Sequence, residues 1–292
     1  MELKIYDKGL YIEKAKDFIP KHVFDCGQCF RWNENKDGSY VGVVNSKVYK
    51  VYEKDGNVYF EGADKEDISY LSYYFNLDRD YSSIKSYLSE SDSVLKEAIK
   101  CGEGIRILNQ DPFETTISFI ISARNSIPSI KKTVEKISKK WGRKIIFEGK
   151  EYYSFPTAEE LAKASEEELR EVGCSFRAPY IVSTTKEIAE GKVDLNYIKG
   201  LETDEAMKKL TELKGVGIKV ADCILLFSMS KLDAFPVDVW IQRIMEHFYV
   251  AEKTSLKKIR EYAREKFKEN AGIAQQYLFY YARDFKGRDG FK

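Results

Sequence analysis

The chain changes its hydrophobic rhythm near residue 65. Before that point apolar and polar residues tend to alternate, in Tyr40-Val41-Gly42-Val43-Val44, in Lys47-Val48-Tyr49-Lys50-Val51-Tyr52-Glu53 and in Asn57-Val58-Tyr59-Phe60. Lys54-Asp55-Gly56 sits between two of these runs as a hairpin turn. Alternation is the period of a half-buried strand. From Asp67 onward apolar residues recur every three or four positions, the period of an amphipathic helix. The spacing predicts helices over 67–77, 82–100, 112–123, 128–141, 158–172 in two pieces, 179–190, 256–268 and 273–285. Residues 144–155 read as a short β excursion. The pattern implies an α+β chain. An N-terminal antiparallel β domain with flanking helices (1–100) packs on a mostly α-helical body (101–292), with a cleft between them.

One stretch breaks the helical rhythm with glycines: Leu213-Lys214-Gly215-Val216-Gly217-Ile218-Lys219-Val220-Ala221-Asp222-Cys223. The segment before it, from Thr203, carries Ala206, Leu210 and Leu213 on one face, with Thr203 or Asp204 as its cap. The segment after it begins near Ile218. Together they read as two helices joined by a hairpin, over 204–230. Glycine lets another backbone come close. The free N–H groups at the start of the second helix carry a partial positive charge that suits a phosphate. Lys214 adds charge at the same edge. Lys214, Gly215, Val216 and Gly217 are therefore candidates for a grip on a nucleic-acid backbone that reads no base. Taken alone, the same residues make a tight turn between core helices.

Lys219 opens a nearly continuous apolar run. Desolvation at such a helix mouth favours an uncharged amine, which is a nucleophile able to form a Schiff base. Nineteen residues later, after a loop over 231–238, Pro236-Val237-Asp238 leads into another helical segment. The Asp238 carboxylate can cap that helix. It can also steady positive charge developing on a sugar as a glycosidic bond breaks. Asp222 and Asp233 are alternative partners for Lys219, and the residues alone leave the three open.

The hairpin, Lys219 and the Pro-Val-Asp turn resemble the helix-hairpin-helix DNA glycosylases. The wording Gly-Val-Gly-x-Lys-Val-Ala-Asp-Cys is most similar to the 8-oxoguanine DNA glycosylases. The resemblance implies Lys219 and Asp238 as catalytic residues. Cys26-Gly27-Gln28-Cys29-Phe30-Arg31-Trp32, which alone reads as a strand of core aromatics, is similar to the family's base-recognition segment. There the Gly27 carbonyl would accept from N7–H of 8-oxoguanine, a position where guanine has a lone pair. The resemblance further implies that Phe279 stacks on the flipped base, Gln275 meets its Watson–Crick edge, and Cys223 forms the opposite wall. Arg124 and Asn125 would fill the gap left in the duplex, Phe176 would wedge into the stack, and Arg177 would contact the orphaned cytosine.

Three positions depart from the animal enzymes. Ser129 stands where a second cytosine-reading arginine is expected, Arg124 replaces the gap-filling asparagine, and Trp240, counted with the substrate-binding residues, replaces a histidine. The first two changes imply looser discrimination of the opposite base. Two rivals stay in view: an alkylpurine glycosylase of the same superfamily, which Lys219 argues against, and a non-catalytic hairpin protein that only binds DNA.

Composition adds limits. At 292 residues with a net charge of +1, no global basic signature marks a nucleic-acid partner. Charge is regional: between Arg124 and Lys144 eight basic residues face the single acid Glu135, a candidate phosphate-facing side. Five scattered cysteines form neither a disulfide framework nor a zinc set, and the four-cysteine run of iron–sulfur relatives is missing. The expectation is therefore no metal site and no required cofactor, with a monovalent cation at the hairpin carbonyls as an open addition. The expected partner is double-stranded DNA containing oxidised guanine, bound by a monomer. Without a signal peptide or long apolar run, a cytoplasmic, nucleoid-associated protein that does not touch membrane is expected.

Overall fold

Alternation in the first 65 residues becomes one six-stranded antiparallel sheet in this computed structural model, which describes residues 1–284. Its strands are β1 (Leu3–Tyr6), β2 (Gly9–Ile12), β3 (Trp32–Glu34), β4 (Tyr40–Val44), β5 (Lys47–Lys54) and β6 (Asn57–Glu61), in the order β1-β2-β6-β5-β4-β3. The register puts Leu10, Phe60 and Val51 in one cross-strand row, all fully buried. The neighbouring row is Tyr11, Tyr59 and Tyr52, whose rings stack on the outer face at 5.8 and 5.2 Å. A slip of one residue would exchange the two rows, so burial fixes the pairing. Strands β1 to β3 and the short helix α1 (Pro20–Phe24) were not resolved by the sequence pattern. Three to five residues carry too little periodicity, and Phe24 is placed by stacking on Trp32 at 4.1 Å.

The helical part comprises α2 (Ile68–Tyr74), α3 (Tyr81–Ser91), α4 (Ser93–Cys101), α5 (Pro112–Ile121), α6 (Ile127–Trp141), the hairpin β7 (Lys144–Phe147) and β8 (Lys150–Tyr153), α7 (Ala158–Leu161), α8 (Glu166–Glu171) and α9 (Ala178–Ala189). It continues through α10 (Leu195–Gly200), α11 (Thr203–Thr211), α12 (Ile218–Ser228), α13 (Val239–Phe248), α14 (Leu256–Phe267) and α15 (Ala271–Asp284). Phe285, included in the expected last helix, lies outside the described residues. The single helix expected over 82–100 is two. Asp92 is extended (φ −152°, ψ 117°), and its carboxylate caps the N–H groups of Val94 and Leu95. Helix α10, only six residues long, escaped the periodicity for the same reason as α1.

Two apolar cores meet at an interface. One lies under the sheet and α2. The other fills the helical body and includes Leu88, Leu95, Ala98 and Ile99 of α3 and α4. Helices α3 and α4 thus pack with the helical core, while Leu77 and Leu108 belong to the sheet core. The segment Asp25–Arg31 crosses between them: Cys26 and Phe30 belong to the helical core, Cys29 and Trp32 to the sheet core. A loop anchored in both cores is held rigidly, and this one carries Gly27.

Candidate active site

The hairpin forms between α11 and α12. Its upstream cap differs from expectation: Glu202 is the capping position, Thr203 is already helical, and the Thr203 hydroxyl donates to Asp233 Oδ1 at 2.6 Å. Gly215 adopts φ +84°, and a Cβ there would lie 2.8 Å from Cβ of Tyr180, so only glycine fits. Gly217 has an ordinary φ of −87°, and a Cβ there would meet nothing within 4 Å. Its role is openness, not conformation. Val216 is buried and pins the turn, while Lys214 and Gly217 are exposed. No side chain caps the start of α12, so its first N–H groups face outward at Gly217–Lys219.

Lys219 sits in the first turn of α12, half-buried. Its Nζ donates to Ser122 Oγ at 3.4 Å and lies 5.2 Å from the Phe119 ring. Among the described residues it forms no ion pair within 4 Å. Two of its three candidate partners are committed elsewhere. Asp222 is fully buried and bound by Arg260, Nε at 2.7 Å and Nη2 at 2.9 Å. Asp233 accepts from Thr203 and pairs with Arg264 at 2.8 Å. Asp238 remains. It caps α13 by accepting from the Ile241 N–H at 2.9 Å, and it is close enough to feel the Lys219 charge. Burial pushes its carboxyl above the usual aspartate value, opposed by the Ile241 N–H and by Lys219. Cys223, one turn along α12, is buried beside both; burial pushes its thiol up to about 12, so it stays neutral. Ser122 and Phe119 were not singled out as amine neighbours. Their position at the end of an apolar helix gave no chemical signal.

The Gly27 loop is the second candidate segment; Lys219, Cys223 and Asp238 are not among the residues lining the cavity beside it. The segment is a loop and not the strand its aromatics suggest, because Gly27 takes φ +79°. A Cβ there would lie 3.0 Å from the Phe279 ring and 3.5 Å from Ile127. Gln28 locks the loop. It donates to the carbonyls of Val23 and Arg106, accepts from the Leu108 N–H, and its own carbonyl accepts from Gln110. Gln28 was overlooked as a support; nothing in sequence marks which glutamine is buried. A cavity of about 240 Å³ opens beside Gly27, lined by Lys21, Asp25, Ile127, Tyr280 and Arg283 among others. Phe279 on α15 is half-buried, whereas Gln275, one turn earlier, is 3% exposed and donates to the Pro236 carbonyl at 3.2 Å. Trp240 lies at the start of α13, with the Arg243 guanidinium 5.5 Å from its ring.

Around this cleft stand two loops. Arg124 is exposed with φ +51°, and Asn125 donates to the Ile121 carbonyl at 3.2 Å. Phe176 is 46% exposed. Arg177 differs from the exposed contact the resemblance implies. It is 5% exposed, and its guanidinium donates to the carbonyls of Ala123 at 2.8 Å and Arg124 at 3.1 Å. It thereby ties the Phe176 loop to the Arg124 loop. Ser129 is exposed at the first turn of α6. The basic stretch is less free than its composition suggests. Lys140 pairs with Glu168, Arg143 with Glu160, Lys144 with Glu151, and Lys131 donates to the Trp32 carbonyl.

The family model described as 8-oxoguanine DNA glycosylase, N-terminal domain, matches residues 10–116. The model of the HhH-GPD superfamily base excision DNA repair proteins matches residues 117–269. A probable N-glycosylase/DNA lyase of Methanothermobacter thermautotrophicus is 36% identical, covering 73% of this chain and 74% of its own. A crystal structure of the Clostridium acetobutylicum 8-oxoguanine glycosylase/lyase, in complex with double-stranded DNA containing cytosine opposite 8-oxoguanine, superposes with a TM-score of 0.95. It is 46% identical, over 97% of this chain and 98% of that one. The 3-methyladenine DNA glycosylase of Archaeoglobus fulgidus is more distant, with a TM-score of 0.74 and 25% identity over 95% and 99% of the two chains. The chain belongs to the HhH-GPD superfamily of base excision DNA repair proteins and carries the N-terminal domain of its 8-oxoguanine DNA glycosylases.

Proposed function

We propose that this chain excises 8-oxoguanine from duplex DNA and nicks the strand at the resulting site, as a bifunctional glycosylase and lyase. The observation that carries the reading is the Lys219 amine, held at the mouth of α12 near Asp238, an aspartate that forms no ion pair among the described residues. The glycosidic carbon is unreachable in the base stack, so the nucleotide must first be extruded. The amine, in its uncharged form, attacks C1′. The C1′–N9 bond breaks and the base leaves with its electron pair, taking up a proton. Asp238 stabilises the positive charge that develops on the sugar. The C1′–O4′ bond then opens as the nitrogen loses its proton, giving the Schiff base; this loses a C2′ proton, and the C3′–O bond breaks by β-elimination with the 3′ phosphate leaving.

Base recognition follows from chemistry at two positions. The Gly27 carbonyl accepts from the N7–H that oxidation creates; against guanine it would face a lone pair, at a cost of roughly 1–3 kcal/mol. Phe279 and Cys223 sandwich the base, a neutral thiol being suited to that apolar wall. Gln275 meets the Watson–Crick edge, and Trp240 flanks the sugar–phosphate. Lys214 and Gly215–Gly217 hold the backbone, Arg124 and Asn125 enter the gap, and Phe176 wedges the stack.

The protein acts as a monomer in the compartment that holds the chromosome, and no helix among the described residues is long and apolar enough to cross a membrane. No cofactor is needed for these steps. A monovalent cation would sit at the hairpin carbonyls; Leu213 O there accepts from the Val216 N–H and keeps a second lone pair. An alkylpurine glycosylase would not need the amine. Incision assays on duplexes carrying 8-oxoguanine, guanine or an alkylated purine separate the readings: cleavage confined to 8-oxoguanine is expected, and equal release of alkylated purines would overturn it.

A further inference from the structure

Two adjacent glutamines on α15, Gln275 and Gln276, are both buried, at 3% and 2% exposure. Their amides form a chain with one direction. Gln275 Nε2 donates to the Pro236 carbonyl at 3.2 Å, and Gln276 Nε2 donates to Gln275 Oε1 at 3.0 Å. The Pro236 oxygen can only accept, so the nitrogen of Gln275 must face it and the oxygen must face Gln276. Turning the Gln275 amide over would set two oxygens against each other at Pro236 and two N–H groups against each other at Gln276. The Gln276 Oε1 atom, meanwhile, is buried without a hydrogen-bond partner among the described residues. An apolar residue of the same size would avoid that penalty. What glutamine adds at 276 is the donor that holds its neighbour.

We propose that Gln276 is a specificity-determining residue acting through Gln275: together with the Pro236 carbonyl it holds the order of oxygen and nitrogen in that amide, and so selects the guanine edge over the adenine edge in an extruded oxidised purine. The inference rests on the reading that Gln275 meets the Watson–Crick edge. The Gly27 carbonyl cannot make this distinction, because 8-oxoadenine carries the same N7–H as 8-oxoguanine. The edges do differ. Guanine offers the O6 acceptor beside the N1–H donor, whereas adenine offers the N6–H donor beside the N1 acceptor. A glutamine amide free to turn over pairs with either order. A fixed one pairs with a single order and leaves unmatched groups against the other, which is the strong form of discrimination.

The test is single-turnover base release by the full chain from duplexes carrying 8-oxoguanine or 8-oxoadenine. The wild type is compared with Gln276→Leu, Gln276→Ala and, as a control, Gln275→Leu. The wild type is expected to release 8-oxoguanine on the order of 100-fold faster. Either Gln276 variant should shrink that ratio by about tenfold, the worth of one net hydrogen bond. A substitution that merely loosened the helix would lower both rates together; that outcome, or an unchanged ratio, overturns the proposal. A ratio that collapses in Gln275→Leu but survives in both Gln276 variants overturns the proposal alone. A ratio untouched by Gln275→Leu overturns both the proposal and the placement of Gln275 at the base.

Discussion

Helix α12 has two charged sides that are treated in opposite ways. On its back, Asp222 is sealed from solvent and held by two bonds from Arg260, while Arg264 bridges Asp233 and Asp204 close by. Every charge there has a counter-charge in contact, as buried ions require. On its front, Lys219 and Asp238 sense each other without an ion pair within 4 Å. Lys219 is left with a 3.4 Å contact to a serine hydroxyl, the Phe119 ring at 5.2 Å and the neutral Cys223 thiol. The same helix thus uses one carboxylate–cation set to tie α14 to the hairpin and leaves another incompletely matched. A fully satisfied lysine would be an inert ion. An amine with weak partners in a half-buried cleft can still react.

The contrast can be broken from either side. The largest effect should come from Lys219→Gln, which removes the nucleophile. Base release should fall by about 10³-fold or more while the thermal midpoint stays near that of the wild type. Loss of fold instead of activity would place Lys219 among the structural charges. Asp238→Asn keeps the cap geometry but removes the charge, and should slow release by about 10²-fold. In the wild type, Asp238 must be ionised to work and its folded pKa lies above its usual 3.8. Activity should therefore decline as pH falls through that raised value, at a higher pH than a surface aspartate would give, and Asp238→Asn should flatten this acid limb.

On the back, Arg260→Ala leaves the Asp222 carboxylate buried and alone. Chemical denaturation should show a loss of about 3 kcal/mol with single-turnover chemistry little changed in the molecules that remain folded. An equal loss of catalysis would mean that the two sides are not separable. Glu114, near the other end of α5, affects stability alone. Burial pushes its carboxyl from 4.5 up to about 7, so the folded chain holds this proton over a range where the unfolded chain has released it. This group's support for folding is complete below the unfolded value and is lost as pH rises to about 7. Wild type should lose up to about 3 kcal/mol more than Glu114→Gln between pH 4.5 and pH 8, measured by denaturation at each pH.

How much of this was visible in the chain itself follows a physical line. The hairpin was legible because glycine and helix-start chemistry are local, and the long helices because burial imprints a 3.6-residue period. The partner of Lys219 was not legible. Asp222, Asp233 and Asp238 are equivalent by residue type, and only the arginines at 260 and 264, remote in sequence, eliminate two of them. Arg177 was read as a contact to the orphaned cytosine, a role the resemblance implies. Its burial depends on backbone carbonyls at 123 and 124 that no side-chain pattern encodes. Asp92 broke a predicted helix for a similar reason: its cap is local, but the apolar period runs straight through it.

The central claim is that the front amine forms the covalent bond to the sugar. Borohydride reduction during turnover on 8-oxoguanine duplex, followed by peptide mapping of the trapped adduct, tests it directly. The adduct should map to Lys219 alone and vanish in Lys219→Gln, while Arg260→Ala retains it. A stable adduct on another residue, or turnover with no trappable species, would contradict the account.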